Sequence, residues 1–250
     1  MSPIIYAVGF GPGDRLYMTT QAVSVLQKVD IIVGYTTYVK LLQEQFPEKQ
    51  FFSTPMRQEV ERCRLAVQIA LQGKTVAMVS SGDSGIYGMT GILLEVIAAQ
   101  RANIQVVAVP GVTAASAAAA LLGAPLMHDF AVISLSDLMT PLSLIEKRIT
   151  CAAESDFVIC LYNPKSKKRT DYLARATDLI TQYQKPETPV GIVRHAGRAE
   201  QAVWLSTLEK LKEETIDMFC VILIGNSQTY VKDGKMITPR GYQLDQGAMQ

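Results

Sequence analysis

Three short glycine-rich segments hold the residues best suited to grip a small ligand. Gly9-Phe10-Gly11-Pro12-Gly13-Asp14 follows an apolar run at 4–8, and Ser80-Ser81-Gly82-Asp83-Ser84-Gly85-Ile86-Tyr87-Gly88 follows another at 75–79. Val109-Pro110-Gly111-Val112-Thr113-Ala114 closes a third at 104–109. Glycine lets backbone approach a ligand closely, while two serines and an aspartate supply hydrogen bonds. Each segment alone reads equally well as a tight strand-to-helix turn. Three of them at the carboxyl ends of strands in one sheet converge on the edge where open α/β folds place ligands. The first does not fit a dinucleotide fingerprint. Asp14 stands where the third glycine of G-x-G-x-x-G is needed, and Pro12 removes an N–H that a pyrophosphate would use. The second strand ends in Gly34-Tyr35, not in a ribose-binding acid.

The elements that must carry these turns follow from periodicity. A helix beginning at Thr19 or Thr20 has Ala22, Val25, Leu26 and Val29 at helical spacing. Strand 31–33 comes next. Residues 59–72 form a helix with Val60, Cys63, Val67, Ala70 and Leu71 on one stripe and Gly73 as its stop. Strand 75–79, helix 88–100, strand 104–109 and an alanine-rich helix at 113–122 complete the first half. Nearly continuous apolar strands alternating with helices predict a mainly parallel sheet covered on both faces. Gly123-Ala124-Pro125 interrupts this pattern, so we expect two α/β domains, 1–124 and 125–250. In the second, strands at 131–135 and 157–162 alternate with helices at 141–153 and 170–183, and strands at 190–193, 202–206 and 219–224 follow. The first of those helices is expected to have Thr140 as N-cap and Pro141 as its first residue. Asp233-Gly234 predicts a hairpin turn, and the second sheet is expected to be mixed.

Composition narrows the function classes. Of 250 residues, 48% are hydrophobic and 19% charged, enough apolar material for a sizeable core. No apolar run approaches the roughly 20 residues of a membrane helix, and residues 1–6 lack the features of a secretory signal; a cytoplasmic protein without membrane partners is expected. A formal net charge of +1 argues against nucleic acid as partner. The four cysteines are scattered without a CxxC pair, and only two histidines are present, so no protein-built metal site is expected.

Taken in order, GFGPGD at 9–14, SSGDSGIYG at 80–88 and PGVTAASAAAALLGAP at 110–125 resemble the tetrapyrrole (precorrin) methylase family along nearly the whole chain. Val33-Gly34-Tyr35, the stretch from Met56 to Cys63, Leu126-Met127-His128-Asp129-Phe130, the stretch from Leu161 to Lys167, and Thr238-Pro239-Arg240-Gly241-Tyr242 are similar to the C17-methyltransferases acting on precorrin-3B or its cobalt counterpart. The resemblance implies two α/β domains with a cleft between them, a homodimer, and S-adenosylmethionine held chiefly by main-chain groups, leaving S-adenosylhomocysteine as product. Carried over by position, the cofactor residues are Pro12, Gly82, Asp83, Ser84, Tyr87, Thr113, Ala114, Tyr162 and Gly225. A sulfonium carries one positive charge and no phosphate, which agrees with turns that lack an anion cradle. Asp83 serves either the ribose or a loop amide.

The implied acceptor bears many acetate and propionate carboxylates, and cations are the groups to meet them. Lys165, Lys167, Lys168 and Arg169 precede a helix, the end at which the macrodipole disfavours positive charge, so either an anion is expected there or the run is a solvated surface. Arg57, Arg62 and Arg194 are further candidates. Ring contraction, which the subfamily is associated with, involves proton movement, and His128, Asp129 and His195 are the acid–base groups available. Their structural readings are a pairing at a hinge for His128-Asp129 and a lone structural histidine for His195. The expected function is S-adenosylmethionine-dependent methylation of C17 of a cobalt-precorrin-3B or cobalt-factor III type tetrapyrrole, with ring contraction, in cobalamin biosynthesis. The alternatives are the oxygen-dependent precorrin-3B enzyme, another acceptor for the same fold, and a non-catalytic binder of tetrapyrrole and S-adenosylmethionine; a NAD oxidoreductase comes last.

Overall fold

A computed structural model describes residues 3–166 and 170–243, and the chain divides into two compact units, Met1–Ala114 and Ala115–Gln250. The first contains β1 (Ile4–Gly9), α1 (Thr20–Lys28), β2 (Ile31–Tyr35), α2 (Thr36–Gln43), β3 (Gln50–Thr54), α3 (Glu59–Leu71), β4 (Val76–Ser80), α4 (Thr90–Ala99) and β5 (Gln105–Val109). Its five strands lie in the order β3-β2-β4-β1-β5 with every pair parallel, as the apolar runs predict.

The period-2 pattern of the strands explains the layering. Ile5, Ala7, Val33, Val76 and Met78 face a core shared with Cys63, Ala66 and Val67 of α3 and Leu93 of α4. Val8, Ile32, Ala77 and Val79 face the opposite core with Ala22 and Leu26 of α1 and Leu42 of α2. Each fully buried aliphatic side chain of this kind stabilises the fold by about 1.5–3 kcal/mol. Thr19 caps α1, its hydroxyl accepting from the Ala22 amide at 3.1 Å. Two elements escape the sequence reading, α2 and the edge strand β3. The stripe of α3 also differs from expectation: Val60 and Leu71 are exposed, and Arg62, Cys63, Ala66, Val67, Ile69 and Ala70 face inward. The helix is rotated so that an arginine shares the buried face.

α5 (Ala114–Leu122) leads into the second unit, which contains β6 (Gly123–Ala124), β7 (Phe130–Ser134), α6 (Leu142–Glu154), β8 (Val158–Tyr162), α7 (Tyr172–Ile180), β9 (Pro189–Arg194), β10 (Ala202–Thr207), β11 (Cys220–Ile224), β12 (Tyr230–Lys232) and β13 (Lys235–Ile237). Its main sheet runs β10-β9-β11-β8-β7; only β7 and β8 pair in parallel, so it is mixed as expected. Ile145 and Ile149 of α6 and Ala176 and Ile180 of α7 pack with Ile159, Leu161, Ile192 and Ile222 of the strands. Pro141 is itself the cap of α6, extended at φ −55° and ψ 137°, and no side chain completes it. Thr140 is therefore not the N-cap, because the helix begins one residue later than its signal suggested. Asp233 (φ 50°) and Gly234 (φ 71°) make the expected tight turn between β12 and β13. β13 in turn pairs in parallel with β6.

Candidate active site

The parallel order places the carboxyl ends of β4, β1 and β5 side by side, and the three glycine-rich turns meet there. The Phe10 amide donates to the Ser80 carbonyl at 3.0 Å. Gly11 and Gly82 exchange both backbone hydrogen bonds, at 3.0 and 2.8 Å, as an isolated antiparallel bridge. Side chains are excluded by the closeness of the turns. A Cβ on Gly111 would stand 2.1 Å from the Gly82 oxygen and 2.6 Å from the Gly9 oxygen, and one on Gly9 would stand 2.7 Å from the Gly82 oxygen. These two glycines are needed for backbone-on-backbone packing.

Polar side chains lock the cluster. The Asp83 carboxylate accepts from the Gly85 amide at 2.7 Å with one oxygen and from the Gly111 amide at 2.9 Å with the other. Of the two roles open to Asp83, the loop amide is the one made by these bonds, and the remaining lone pairs leave room for a hydroxyl. Ser84 is buried and sends its hydroxyl inward to the Ala7 carbonyl at 3.0 Å. Ser80 Oγ accepts from the Met89 amide at 3.1 Å. Pro12 and Gly82 are buried, Asp83, Thr113 and Ala114 half-buried, and Tyr87, at φ 52°, is exposed. Asp14 accepts from the Leu16 amide at 3.2 Å, capping a single turn of helix. Residues 9–14, 80–88 and 109–114 contain two carboxylates, the exposed Asp14 and the half-buried Asp83, and no lysine or arginine. Backbone groups, hydroxyls and the half-buried Asp83 carboxylate suit a cationic sulfonium.

Beside the second turn lies a cavity of about 200 Å³ whose walls include Tyr35, Met56, Glu59, Arg62, Ser81 and Tyr87. Arg62 is 3% exposed. Its Nε donates to Thr54 Oγ1 at 3.0 Å, Nη2 to the Pro55 carbonyl at 3.1 Å, and Nη1 reaches only the Met89 thioether at 3.5 Å. The guanidinium carbon lies 5.8 Å from the centre of the Tyr35 ring. Burial pulls the pKa of Arg62 down, and the charge of Glu59 opposes that pull. Arg57, also expected to face the acceptor, is exposed at φ 68° and gives its amide to Glu59 Oε1 at 3.2 Å.

In the second unit the Tyr162 hydroxyl accepts from the Ala115 amide at 2.6 Å, in the first turn of α5. Gly225 directly follows β11, where a Cβ would meet Thr229 Cβ at 2.5 Å. His128 Nδ1 lies 3.7 Å from Asp129 Oδ2, and both side chains are more than half exposed. His195, at φ 52°, stacks on Phe219 at 4.6 Å, with Nε2 3.8 Å from Glu200 Oε2. Arg194 Nε is buried without a hydrogen-bond partner among the described residues, and Lys165 is exposed. Lys167, Lys168 and Arg169 lie outside the described residues. Among the described residues, no group of three or more His, Cys, Asp or Glu is placed to hold a metal ion. None of their helices is long and apolar enough to cross a membrane.

Comparison with known proteins accounts for this arrangement. The chain is 50% identical over 241 residues to a probable cobalt-factor III C(17)-methyltransferase of Salmonella typhimurium, covering 96% of this chain and 100% of that one. A crystal structure of the methyltransferase CobJ superposes with a TM-score of 0.88 at 34% identity, covering 96% of this chain and 100% of that one. The uroporphyrin-III C-methyl transferase of Thermus thermophilus, complexed with S-adenyl homocysteine, shares the fold at a TM-score of 0.70 and 21% identity, over 88% of this chain and 91% of that one. Residues 4–212, spanning both the turn cluster and β8 to β10, match the model for tetrapyrrole (corrin/porphyrin) methylases, and the chain belongs to that family.

Proposed function

We propose that the protein transfers the methyl group of S-adenosylmethionine to C17 of a cobalt-factor III type tetrapyrrole, with contraction of the macrocycle, in cobalamin biosynthesis. The observation that carries this reading is the meeting of three turns that hold two carboxylates, Asp14 and Asp83, and no cation at the ends of β4, β1 and β5. The full-length likeness to the Salmonella relative supports the choice of acceptor.

The donor supplies an electrophilic methyl on a positively charged sulfur and leaves as a neutral thioether. The chain's part is to hold and orient. Gly82, Thr113, Ala114 and Gly225 offer backbone, Pro12 and Tyr87 offer apolar wall, and Asp83 offers a charge opposite to the sulfonium. Ser84 acts through the turn, since its hydroxyl is engaged by β1. Tyr162 supports the first turn of α5, two residues beyond Thr113. A pyrrole carbon is already electron-rich, so alignment and exclusion of water supply much of the rate. Arg57, Lys165, Lys167, Lys168, Arg169 and Arg194 are proposed for the acceptor's carboxylates, and His128, Asp129 and His195 for proton movement in ring contraction. A cytoplasmic homodimer completes the proposal, and light scattering reports the dimer.

The test is anaerobic incubation with labelled S-adenosylmethionine and acceptor with or without cobalt, followed by mass analysis. Label should enter the cobalt-containing acceptor, with S-adenosylhomocysteine released in equal amount. Binding of both ligands without S-adenosylhomocysteine release would mark a carrier and overturn the reading. A second reading, methylation of cobalt-free precorrin-3B with oxygen, is left open by the resemblance to C17-methyltransferases of either kind, and the cobalt-free arm run in air distinguishes it.

A further inference from the structure

We infer that the cavity around Arg62 is a carboxylate subsite that takes one peripheral acid of the macrocycle; this rests on the acceptor proposed above. The argument begins with charge. A guanidinium 3% exposed carries a full positive charge, yet its partners are all neutral: Thr54 Oγ1, the Thr54 and Pro55 carbonyls, and the Met89 thioether. Among the described residues no carboxylate lies within ion-pair distance of Arg62. Arginines this deeply buried are ordinarily paired with an acid. Four of its five N–H groups are engaged, and the one left over belongs to Nη1, whose other hydrogen meets only a sulfur.

The surroundings match a carboxylate. The cavity volume of about 200 Å³ has room for a short acid side chain but not for a macrocycle. Ser81 opens the Gly82 turn and Tyr87 closes it, so an acid seated on Arg62 brings the edge of its parent ring beside the turn cluster. Glu59, on the same wall, sets a limit. Its charge repels an incoming acid, and its Oε1 is turned to the Arg57 amide at 3.2 Å. The exposed Met56 also lines the cavity.

Two carboxylates could enter, one from the acceptor and one from the methionine part of the donor, and variants separate them. Cobalt-factor III is titrated by absorbance and S-adenosylhomocysteine by calorimetry against wild type, Arg62→Met, Met56→Glu and Glu59→Gln. Arg62→Met should raise the Kd for cobalt-factor III by about tenfold or more. Met56→Glu should raise it by about threefold, while Glu59→Gln should lower it. S-adenosylhomocysteine affinity should stay within about twofold throughout, because the three turns are untouched. Methyl-esterified acceptor should bind wild type and Arg62→Met alike. Met56→Glu and Glu59→Gln keep the buried arginine and its bonds, so they decide the matter even where Arg62→Met fails to fold. Unchanged acceptor affinity in those two overturns the inference while leaving the proposed function standing. Changes confined to S-adenosylhomocysteine assign the cavity to the donor and equally overturn it. Wild type that binds no cobalt-factor III removes both readings.

Discussion

Asp83, just beyond the end of β4, accepts the amide hydrogen of Gly111, just beyond the end of β5, at 2.9 Å. With β1 lying between those strands, this one bond spans the full width of the turn cluster. Asp83→Asn removes one of the two acceptors and faces an amide N–H with another donor. Stability should fall by about 1–2 kcal/mol, discounted for partial exposure, and S-adenosylhomocysteine should bind more weakly. Urea unfolding and calorimetry read the two effects.

Glycine substitutions should diverge sharply according to what the added carbon meets. Gly111→Ala drives a methyl into the Gly82 carbonyl, 2.1 Å away, and is expected to cost about 2–3 kcal/mol and to impair donor binding. Gly91→Ala, in the first turn of α4 with nothing within 4 Å, should instead stabilise the fold by about 0.5–1 kcal/mol. Thermal unfolding of the pair checks both signs.

Tyr162→Phe deletes the acceptor of the Ala115 amide and should cost about 1 kcal/mol. A fall in methyl transfer at saturating substrate, beyond what this loss of stability explains, would show that the first turn of α5 must be held still for the reaction.

The buried thiols predict an alkaline limit. Burial pushes Cys63 up to about 12 and Cys220 up to about 11 from an ordinary 9.0, and drives Cys160 upward as well. In the unfolded chain these thiols ionise near their ordinary value, so above pH 9 the unfolded state binds fewer protons than the folded state. Their contribution is complete below pH 9 and declines as pH rises toward 11 and 12. Urea midpoints measured across this window should fall, and Cys160→Ala should flatten the slope relative to wild type. Below pH 9 only Cys151, the exposed thiol, should react promptly with Ellman's reagent in the folded protein.

Much of the first unit was legible because its strands are continuous apolar runs, and a parallel sheet puts their ends together without further information. β3 escaped because Gln50-Phe51-Phe52-Ser53-Thr54 is an edge strand, mostly exposed, whose residues carry no alternation. α2 escaped because it spans eight residues and has no side-chain cap to announce it. Pro141 misled by one position, since its φ of −55° suits a helix but its ψ of 137° is extended, and the helix begins at Leu142. At the site, the turns and Asp83 could be read from spacing. The inward hydroxyl of Ser84 could not, because it depends on the Ala7 carbonyl, distant in sequence. Arg62 is a candidate for the acceptor by residue type, but its burial is not legible in a helix stripe drawn through apolar residues alone. Its spacing of four from Ala66 and seven from Ile69, both buried, was the available signal. The surroundings of His195 were out of reach, as its neighbour Phe219 comes from another strand end.

β1 is an interior strand of its sheet, with Ile5 aligned to Val76 on one side and to Val106 on the other. Synthesised before both of its neighbours, it must wait for them, and pairings so distant along the chain are slow to close. The ligand-gripping corner therefore assembles late in biogenesis. A nascent chain halted before β5 would leave Gly9 to Asp14 bare on one side.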